Sequence, residues 1–492
     1  MVQKGKLVSI DVGTTKVCTA IADTIDVGKI QIVAVGVSST KGLHRGLVVN
    51  INEARESIRD SVRKAEQASN YKVESAYVSV TGRHVTSMNS RGVVAITRND
   101  RVVRPDDLKR VLASAQGVKT ASDSRLLHVI PRSYTVDGQP GVKNPVGMHG
   151  FRLDVETHVI TAAVTSIQNL VKCIRSLGIG IEDLVLEPLA SSEAVLTEDE
   201  RQVGVIMADI GGGTTDVAVF RDGSLWHTSI LPVAGYQLTR DIAIELGLPF
   251  EIAEEMKKKY GSVMPIYESK YETDRAIPQE EHGVSYQDLR RIMRTRVEEI
   301  LKSILLEIPK TKDETLTPAG LVLTGGSSNL LGIDTLGYDL LGIPVRVGRP
   351  KSAYGILGTF MPPEYATAIG LLLWGAKSLR KDKVLLFERL RKNIFKSAPR
   401  VKTDKQKLDD DVQNFEKAKE FFQNNKSDII SKYNNRYIAI IGNEIIDSDE
   451  TFSNLAERVY DKFGYRPIYM PKVTAELPVI HLPSPRIRST SK

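Results

Sequence analysis

Asp11-Val12-Gly13-Thr14-Thr15-Lys16 is the stretch that decides the fold, because a near copy of it stands in the second half of the chain at Asp209-Ile210-Gly211-Gly212-Gly213-Thr214-Thr215-Asp216. Each copy lies between two short apolar segments, which predicts a β-hairpin in both places. A turn made of Gly and Thr can point successive backbone N–H groups at one anionic phosphate, and Gly leaves room for the phosphate to approach. The repeat therefore indicates a duplicated α/β chain whose two hairpins hold a triphosphate between them.

The side chains of both hairpins fit the same ligand. The Thr hydroxyls and Lys16 add donors, and Asp11 and Asp209, each at the end of a predicted strand, can hold Mg²⁺ through water. One such hairpin by itself would fit an ordinary tight turn with a capping Asp. A third glycine turn, Gly325-Gly326 after the predicted strand Leu321–Leu323, favours the nucleotide interpretation.

The composition restricts the class of protein. A chain of 492 residues, 41% hydrophobic and 26% charged, is long enough for several globular domains. Its two cysteines, Cys18 and Cys173, exclude a disulfide framework and a Cys-rich zinc module, and they fit a reducing cytoplasm. A net charge of +7 is modest for this length, so we expect no nucleic acid partner. The polar start and the longest apolar run, 366–374, predict neither a signal peptide nor a membrane-spanning helix.

Hydrophobic periodicity predicts the elements around the hairpins. Apolar positions recur at helical spacing in Ile51–Ser69, Leu238–Tyr260 and Tyr286–Leu305. Between the two halves, alternating segments predict a small inserted α/β unit. Its predicted strands are Tyr77–Val85, Arg91–Thr97, Leu126–Ile130 and Thr157–Val164, and its predicted helix is Pro105–Gln116.

The character of the chain changes after Lys377. Residues 378–397 are predicted to form a basic amphipathic helix, with seven basic residues against two acidic ones and Leu386, Phe387, Leu390 and Ile394 on one face. Such a helix is typical of binding to an anionic lipid surface, and the alternative is a helix packed on its own globular body. Residues 398–411 are predicted as a linker, 412–472 as a small α/β module and 473–492 as a flexible tail.

The three glycine turns resemble the phosphate and adenosine motifs of the actin-like ATPase superfamily. From about Lys6 to Lys377 the chain resembles more narrowly the FtsA family of bacterial cell division proteins, and it does so most clearly in the inserted unit and in Glu187-Pro188-Leu189-Ala190-Ser191. The residues of the inserted unit that carry this resemblance are Val129-Ile130-Pro131, Tyr134, Asp137-Gly138, Asn144-Pro145, Gly147-Met148, Gly150 and Leu153.

The resemblance implies a fold: a duplicated actin-like (ribonuclease H-like) two-lobed α/β ATPase with an inserted α/β subdomain. Its subdomains would be IA at 1–84 and 162–200 with 360–377 returning to it, IC at 85–161, IIA at 201–235 and 306–359, and IIB at 236–305.

The resemblance also implies ATP and Mg²⁺ in the cleft. The first phosphate loop would be Asp11, Gly13, Thr14, Thr15 and Lys16, the second Asp209, Gly211, Gly212, Gly213 and Thr214, and the adenosine contacts Gly325, Gly326 and Ser327. Glu187 would orient the attacking water in an ATPase that is at most slow, and the alternative is a helix N-terminal acid favoured by the dipole. Glu254 and Lys257 would touch ribose and base, and the alternative is an exposed ion pair one helical turn apart.

Partners follow from the same resemblance. The C-terminal peptide of FtsZ would dock on the outer subdomain of the second half, where Arg290, Arg291, Arg294 and Arg296 cluster, and Arg296 is the residue that fits the family pattern. A solvated basic face is the alternative for the other three. Further implied partners are a second copy of the chain in a filament and an anionic membrane. The basic helix departs from the family pattern, because FtsA proteins carry it at the extreme C-terminus.

The function that the resemblance implies is a division protein that polymerises at the inner face of the cytoplasmic membrane and anchors the FtsZ ring there. We expect it to be cytoplasmic and peripheral on the membrane at the division site. The alternatives are a pilus-assembly scaffold of the same superfamily and a small-molecule kinase on the same fold. A kinase would need a substrate Asp base and a pocket-forming insertion, and no residue marks either.

Overall fold

The computed structural model describes residues 6–26, 29–117, 123–264, 284–308, 317–351, 353–355, 361–378, 405–463 and 468–473. It divides into two units, Met1–Phe387 and Glu388–Lys492.

The first unit contains the elements predicted around both hairpins. Its strands are β1 (Lys6–Val12), β2 (Lys16–Asp26), β3 (Lys29–Ser39), β4 (Leu43–His44), β5 (Leu47–Val48), β6 (Ser75–Val80), β7 (Val85–Ala95), β8 (Ser124–Val136), β9 (Gln139–Val142), β10 (Arg152–Ala163), β11 (Gly180–Leu186), β12 (Val205–Ile210), β13 (Thr215–Arg221), β14 (Ser224–Leu231), β15 (Leu321–Thr324), β16 (Val345–Val347) and β17 (Ala353–Gly355). Its helices are α1 (Ile51–Ser69), α2 (Pro105–Gln116), α3 (Val164–Arg175), α4 (Glu187–Val195), α5 (Glu198–Val203), α6 (Gly235–Glu245), α7 (Phe250–Tyr260), α8 (Tyr286–Leu306), α9 (Ile333–Leu341) and α10 (366–378). Two short 3₁₀ helices cover Gly326–Asn329 and Pro363–Tyr365.

The first lobe is built on a six-stranded sheet in the order β11-β6-β1-β2-β3-β17. Strands β1 and β2 form the first hairpin, with Val12 opposite Val17, and the Gly13 N–H closes its turn by donating to the carbonyl of Lys16 over 3.0 Å. Strand β17 pairs in parallel with β3. Residues 353–355 therefore belong to this sheet, and their predicted assignment to subdomain IIA was wrong, because a strand of three residues carries no periodic signal.

The second lobe is also built on a sheet that contains a glycine hairpin. This sheet has five strands in the order β14-β13-β12-β15-β16, and in its hairpin Asp209 lies opposite Asp216. Helices α6, α7 and α8 share one apolar core with this sheet. The predicted helix Leu238–Tyr260 is two helices, because Gly247 adopts a positive φ of 63° and Pro249 cannot continue a helix. Within the described residues, 236–305 has no core separate from that of the sheet.

Helices α4 and α10 lie between the two sheets, and their apolar side chains join both lobes in one core. Both helices are buried almost all round, as the apolar run 366–374 indicates. A Cβ at Gly370 would lie 1.8 Å from the carbonyl oxygen of Ala190. The two helices therefore touch backbone to backbone at this point, which only glycine allows.

The inserted subdomain is a four-stranded sheet, β7-β10-β8-β9, covered by α2. The predicted strand Tyr77–Val85 was wrong: β6 ends at Val80 inside the first lobe, and β7 starts at Val85 in the insert. Gly82, with φ at 118°, turns the chain between them. The insert also contacts the second lobe, where the Ser87 hydroxyl donates to the carbonyl of Thr228 on β14 over 2.9 Å.

The second unit contains α11 (Lys405–Asn424), α12 (Lys426–Tyr433), β18 (Tyr437–Ile441), β19 (Glu444–Asp449) and α13 (Phe452–Phe463). The hairpin β18–β19 turns at Gly442-Asn443 as predicted, and it packs on both faces, with Ile438 and Ile440 against α11 and α12 and Ala439 against α13. The linker predicted at 398–411 is wrong from Lys405 onward, because this charged segment is rich in helix-forming Lys, Gln and Leu. Val473 is buried in this module rather than part of a tail.

Several predictions fall on residues outside the described ones. These are the basic helix predicted at 378–397 with the side chains expected to face lipid, the first part of the predicted linker and the predicted tail beyond Val473. Among the helices of the described residues, none has the length and apolar content to cross a bilayer.

Candidate nucleotide-binding site

A cleft of about 520 Å³ opens where the two hairpins meet. Residues from both sheets, from α4, α6 and α7, and from the 3₁₀ helix Gly326–Asn329 line it. The structure brings together in this cleft every residue that the sequence analysis assigned to ATP: Asp11, Gly13, Thr14, Thr15, Lys16, Glu187, Asp209, Gly211, Gly212, Gly213, Thr214, Glu254, Lys257, Gly325, Gly326 and Ser327.

The two hairpins face each other at van der Waals distance. A Cβ at Gly212 would lie 2.2 Å from the methyl group of Thr15, and a Cβ at Gly213 would lie 2.6 Å from the hydroxyl of Thr14. Both contacts are far shorter than real Cβ contacts. The glycines of the second hairpin are therefore required by the threonines of the first, and any phosphate that enters here meets donors from both lobes.

Four carboxyl groups are buried at this place: Asp11, Asp209 and Glu187 line the cleft, and Asp216 lies opposite Asp209 on the neighbouring strand. Ser79 donates to Asp11 over 3.0 Å, Thr367 donates to Asp209 over 3.1 Å, and Thr81 makes a short hydrogen bond to Asp216. Each carboxyl group belongs to a different element, namely β1, β12, β13 and the first turn of α4. The fold thus gathers acids from both halves of the chain.

Burial is the main cause that raises the pKa of each of these groups. The pKa of Asp209 rises to about 6 through burial and the neighbouring charge of Asp11. The pKa of Glu187 rises well above its usual range through burial and then through Asp216, Asp11 and Asp209. Lys16 lowers the pKa of Asp11 and Asp209, but burial outweighs its effect. A hydrated divalent cation would add positive charge here, and Asp11 and Asp209 fit Mg²⁺ that is bound through water.

Lys16 does not point at these acids. Its Nζ donates to the carbonyl of Glu364 over 2.7 Å and lies 4.3 Å from the centre of the Tyr365 ring. The ammonium group is thereby held at the wall of the cleft, within the cavity lining.

The third glycine turn contacts the second hairpin at the edge of the cleft. The Ser327 hydroxyl donates to the carbonyl of Gly211 over 2.9 Å. Gly325 has φ at 86°, and a Cβ there would lie 2.3 Å from a carboxylate oxygen of Asp209. Glycine is therefore needed at this turn both for its conformation and for space.

Glu254 and Lys257 form the predicted ion pair, at 2.6 Å, but they are not an exposed pair. Their side chains are 24% and 13% exposed, and Lys257 also donates to the carbonyl of Gly235 and to Thr239. Burial lowers the pKa of Lys257. For Glu254, burial would raise the pKa, but Lys257 brings it below the usual range. The pair forms one wall of the cleft.

The position of Glu187 is compatible with both interpretations, as the residue that orients the attacking water and as an acid favoured at a helix N-terminus. It is the first residue of α4, where a negative charge is favoured by the helix dipole, and its side chain lines the cleft.

Sequence reasoning missed several cleft residues, namely Thr81, Gly235, Glu364, Tyr365 and Thr367, and it also missed Asp216, which accepts a hydrogen bond from Thr81. A signal existed for Asp216, which ends the second hairpin motif and lies opposite Asp209. The others follow elements with no motif of their own, and only the fold brings them to the cleft.

The arginines of α8 lie outside the cleft. Arg296 forms ion pairs with Asp241 of α6 and with Glu299 of its own helix, each with an N–O distance of 2.5 Å. Arg294 binds Glu298, and Arg291 binds Glu245. These guanidinium groups already have acidic partners within the chain, so an acidic peptide would have to compete for them.

Comparison with known proteins gives three matches to family models. The model for cell division protein FtsA matches residues 206–370, that for the SHS2 domain inserted in FtsA matches residues 82–161, and a family of unknown function, DUF5678, matches residues 428–472.

Two relatives cover most of the first unit. Cell division protein FtsA of Pseudomonas aeruginosa is 40% identical over 382 residues, which are 76% of this chain and 90% of the relative. That of Borreliella burgdorferi is 37% identical over 385 residues, 77% of this chain and 92% of the relative. Among solved structures, a PilM-PilN type IV pilus biogenesis complex has a similar fold, with a TM-score of 0.54 at 17% identity over 76% of this chain and 99% of that one.

Proposed function

Because the chain belongs to the FtsA family of bacterial cell division proteins, we propose that it binds Mg-ATP, polymerises at the inner face of the cytoplasmic membrane and anchors the FtsZ ring there. It is a cell division protein with an actin-like fold. The observation that carries the nucleotide part of the proposal is the cleft, where two facing glycine hairpins meet four buried carboxyl groups. The fold likeness to the pilus complex gives no reason to prefer a pilus scaffold.

Each part of the cleft has a task in this proposal. Asp11 and Asp209 would hold Mg²⁺ through its water ligands, and the ion would supply positive charge for the phosphates and the buried acids. The backbone N–H groups of both glycine turns would bind the phosphate oxygens, and so would Lys16, whose Nζ here donates to the carbonyl of Glu364. Glu187 orients the attacking water. Turnover is slow, because a filament protein uses the nucleotide as a structural ligand.

A binding titration tests the nucleotide part. A fluorescent ATP analogue should bind the wild-type chain in the presence of Mg²⁺ and much more weakly after EDTA is added. Asp209→Ala should abolish or greatly weaken that binding, whereas Asp222→Ala, at an exposed turn of the same lobe, should not. Binding that survives both EDTA and Asp209→Ala in a folded protein contradicts the assignment.

Electron microscopy on lipid monolayers tests polymerisation. Filaments of the purified chain should form on anionic lipid with Mg-ATP and should be lost with Asp209→Ala. Filaments that form equally well without nucleotide would separate polymerisation from the cleft.

The basic amphipathic helix predicted from the sequence at 378–397 carries the membrane part of the proposal. Phe387→Glu with Leu390→Glu should release the chain from anionic vesicles in a flotation assay, because burial of each large apolar side chain is worth about 1.5–3 kcal/mol. Leu306→Glu is the control, because Leu306 is 79% exposed on α8. A chain truncated after Lys396 should still float. If the truncated chain is released while the double Glu variant stays bound, the membrane anchor lies beyond Lys396.

FtsZ binding is tested at α8. Arg296→Ala should weaken binding of the FtsZ C-terminal peptide, with Arg59→Ala, on the exposed face of α1, as control. Equal affinity in both variants removes Arg296 from the peptide site.

A further inference from the structure

Thr81 lies at the root of the inserted subdomain and reaches into the cleft. It is the first residue after β6 and precedes the turn that leads into β7. Its side chain is buried, and its hydroxyl donates to the carboxylate of Asp216 in the other lobe. This single hydrogen bond therefore connects the entry point of the inserted subdomain to the second hairpin.

Asp216 and Glu187 are buried neighbours. After burial, the charge of Asp216 is the largest cause that raises the pKa of Glu187, so Thr81, Asp216 and Glu187 form a series of three neighbouring polar groups. A hydroxyl has one proton to donate, and here that proton goes to Asp216. Asp216 is thereby held at one oxygen by Thr81.

The backbone around Thr81 is wedged against the first hairpin as well. Gly46, with φ at 76°, lies so close that a Cβ there would be 2.9 Å from the carbonyl oxygen of Thr81. The N–H of Gly46 donates to the hydroxyl of Thr14 over 3.1 Å. The root of the inserted subdomain is therefore in contact with both phosphate hairpins, through Gly46 on one side and Asp216 on the other.

The inserted subdomain has a second attachment to the second lobe. Besides the bond from Ser87 to Thr228, the Ser224 hydroxyl on β14 donates to the carbonyl of Arg132 on β8 over 3.0 Å. Strand β14 is paired with β13, which begins at the second hairpin. A change in that hairpin can therefore affect the inserted subdomain through β14 or through the hydrogen bond from Thr81 to Asp216. The hydrogen bond is the more direct connection of the two.

We propose that Thr81 is a positioning residue that holds Asp216 beside Glu187 and transmits occupancy of the phosphate end of the cleft to the inserted subdomain. This inference rests on the proposed nucleotide function. It adds Thr81 to that site and names the inserted subdomain as the region that responds to the ligand. A ligand that moves the second hairpin must strain or break the Thr81 hydrogen bond, which couples the two regions.

The test uses three variants of the full chain. Thr81→Val removes the hydroxyl at nearly constant shape, and Thr81→Ser keeps the hydroxyl but removes the methyl group. Thr86→Val is the matched control, because Thr86 makes a hydroxyl hydrogen bond to Thr161 inside the insert, away from the cleft. For each we would measure the Kd for Mg-ATP and the hydrogen exchange of residues 82–95 and 152–163 with and without Mg-ATP.

In the wild-type chain, Mg-ATP should change the exchange rate of residues 82–95 at least threefold. At saturating Mg-ATP, Thr81→Val should lose that change, whereas Thr81→Ser and Thr86→Val should retain it. The proposal is overturned if Thr81→Val behaves like the control, or if Thr81→Ser loses the change as fully as Thr81→Val does. A wild-type chain that binds no Mg-ATP overturns the proposed function and this inference together, whereas binding without the exchange effect overturns this inference alone.

Discussion

Replacement of Asp209 by Asn should make the nucleotide-free protein more stable while it destroys the site. Asp209 is buried, and burial together with the charge of Asp11 raises the pKa of its carboxyl group from 3.8 to about 6. In the folded protein at neutral pH this carboxylate is held in a place that disfavours its charge. Asn keeps the size of the side chain and can still accept the hydrogen bond that Thr367 donates.

The magnitude follows from the pKa. A rise from 3.8 to about 6 corresponds, at about 1.36 kcal/mol per pH unit, to a cost of up to about 3 kcal/mol. Between those two pH values the unfolded chain has lost the proton and the folded protein keeps it. The free energy of unfolding therefore falls as pH rises through this window, and the cost is complete above it. At pH 5 about half of the cost is present.

Thermal unfolding of the nucleotide-free chain at pH 7.5 and pH 5 measures this effect. At about 2 °C for each kcal/mol, Asp209→Asn should raise the Tm by up to about 6 °C at pH 7.5 and by about half as much at pH 5. Asp222→Asn, at an exposed turn, should change neither value. Mg-ATP should raise the Tm of the wild-type chain and not that of Asp209→Asn. A lower Tm for Asp209→Asn at pH 7.5, or an undiminished shift with Mg-ATP, would refute the reasoning.

Three further substitutions test other parts of the cleft. Lys257→Met should weaken Mg-ATP binding about tenfold in a fluorescence titration, because it removes the cation that ties α7 to α6, whereas Lys259→Met, at an exposed position of α7 outside the cleft lining, should not. Gly212→Ala should prevent the hairpins from meeting and abolish binding, because the new methyl group collides with the Thr15 side chain. A second change, Thr15→Gly, should therefore restore part of the binding. If no binding returns in the double variant, the collision is not the cause of the loss. Glu187→Gln should keep the affinity for Mg-ATP within about threefold and lower single-turnover hydrolysis about 100-fold, and an equal loss of both would return Glu187 to a structural role.

The fold was predictable where the sequence carries a strong local signal. The helices at Ile51–Ser69 and Pro105–Gln116 have the predicted bounds, because a capping residue or a proline marks each start. The break at Gly247 was missed, since both flanking segments keep helical periodicity. Strand β17 was missed because it is held by its neighbour β3 and not by its own sequence.

The site was predictable to the extent that motifs mark it. The glycine turns identify their own backbone, and a duplicated chain brings corresponding turns together, so the phosphate end follows from the sequence. Thr81 and Thr367 have no such mark, because a single threonine after a strand or in a helix is common. Only the fold shows that each one donates to a buried carboxylate.

The contact between Gly370 and Ala190 determines how the cleft can change its width. Each of these residues lies one helical turn from a residue of the cleft floor, Thr367 on α10 and Glu187 on α4. Side chains between two helices can change rotamer and let the helices slide, but here backbone touches backbone. Rotation about this point remains open to the two helices, so the contact can serve as a pivot beneath the cleft. A change in the width of the cleft then requires a change in the angle between the two sheets.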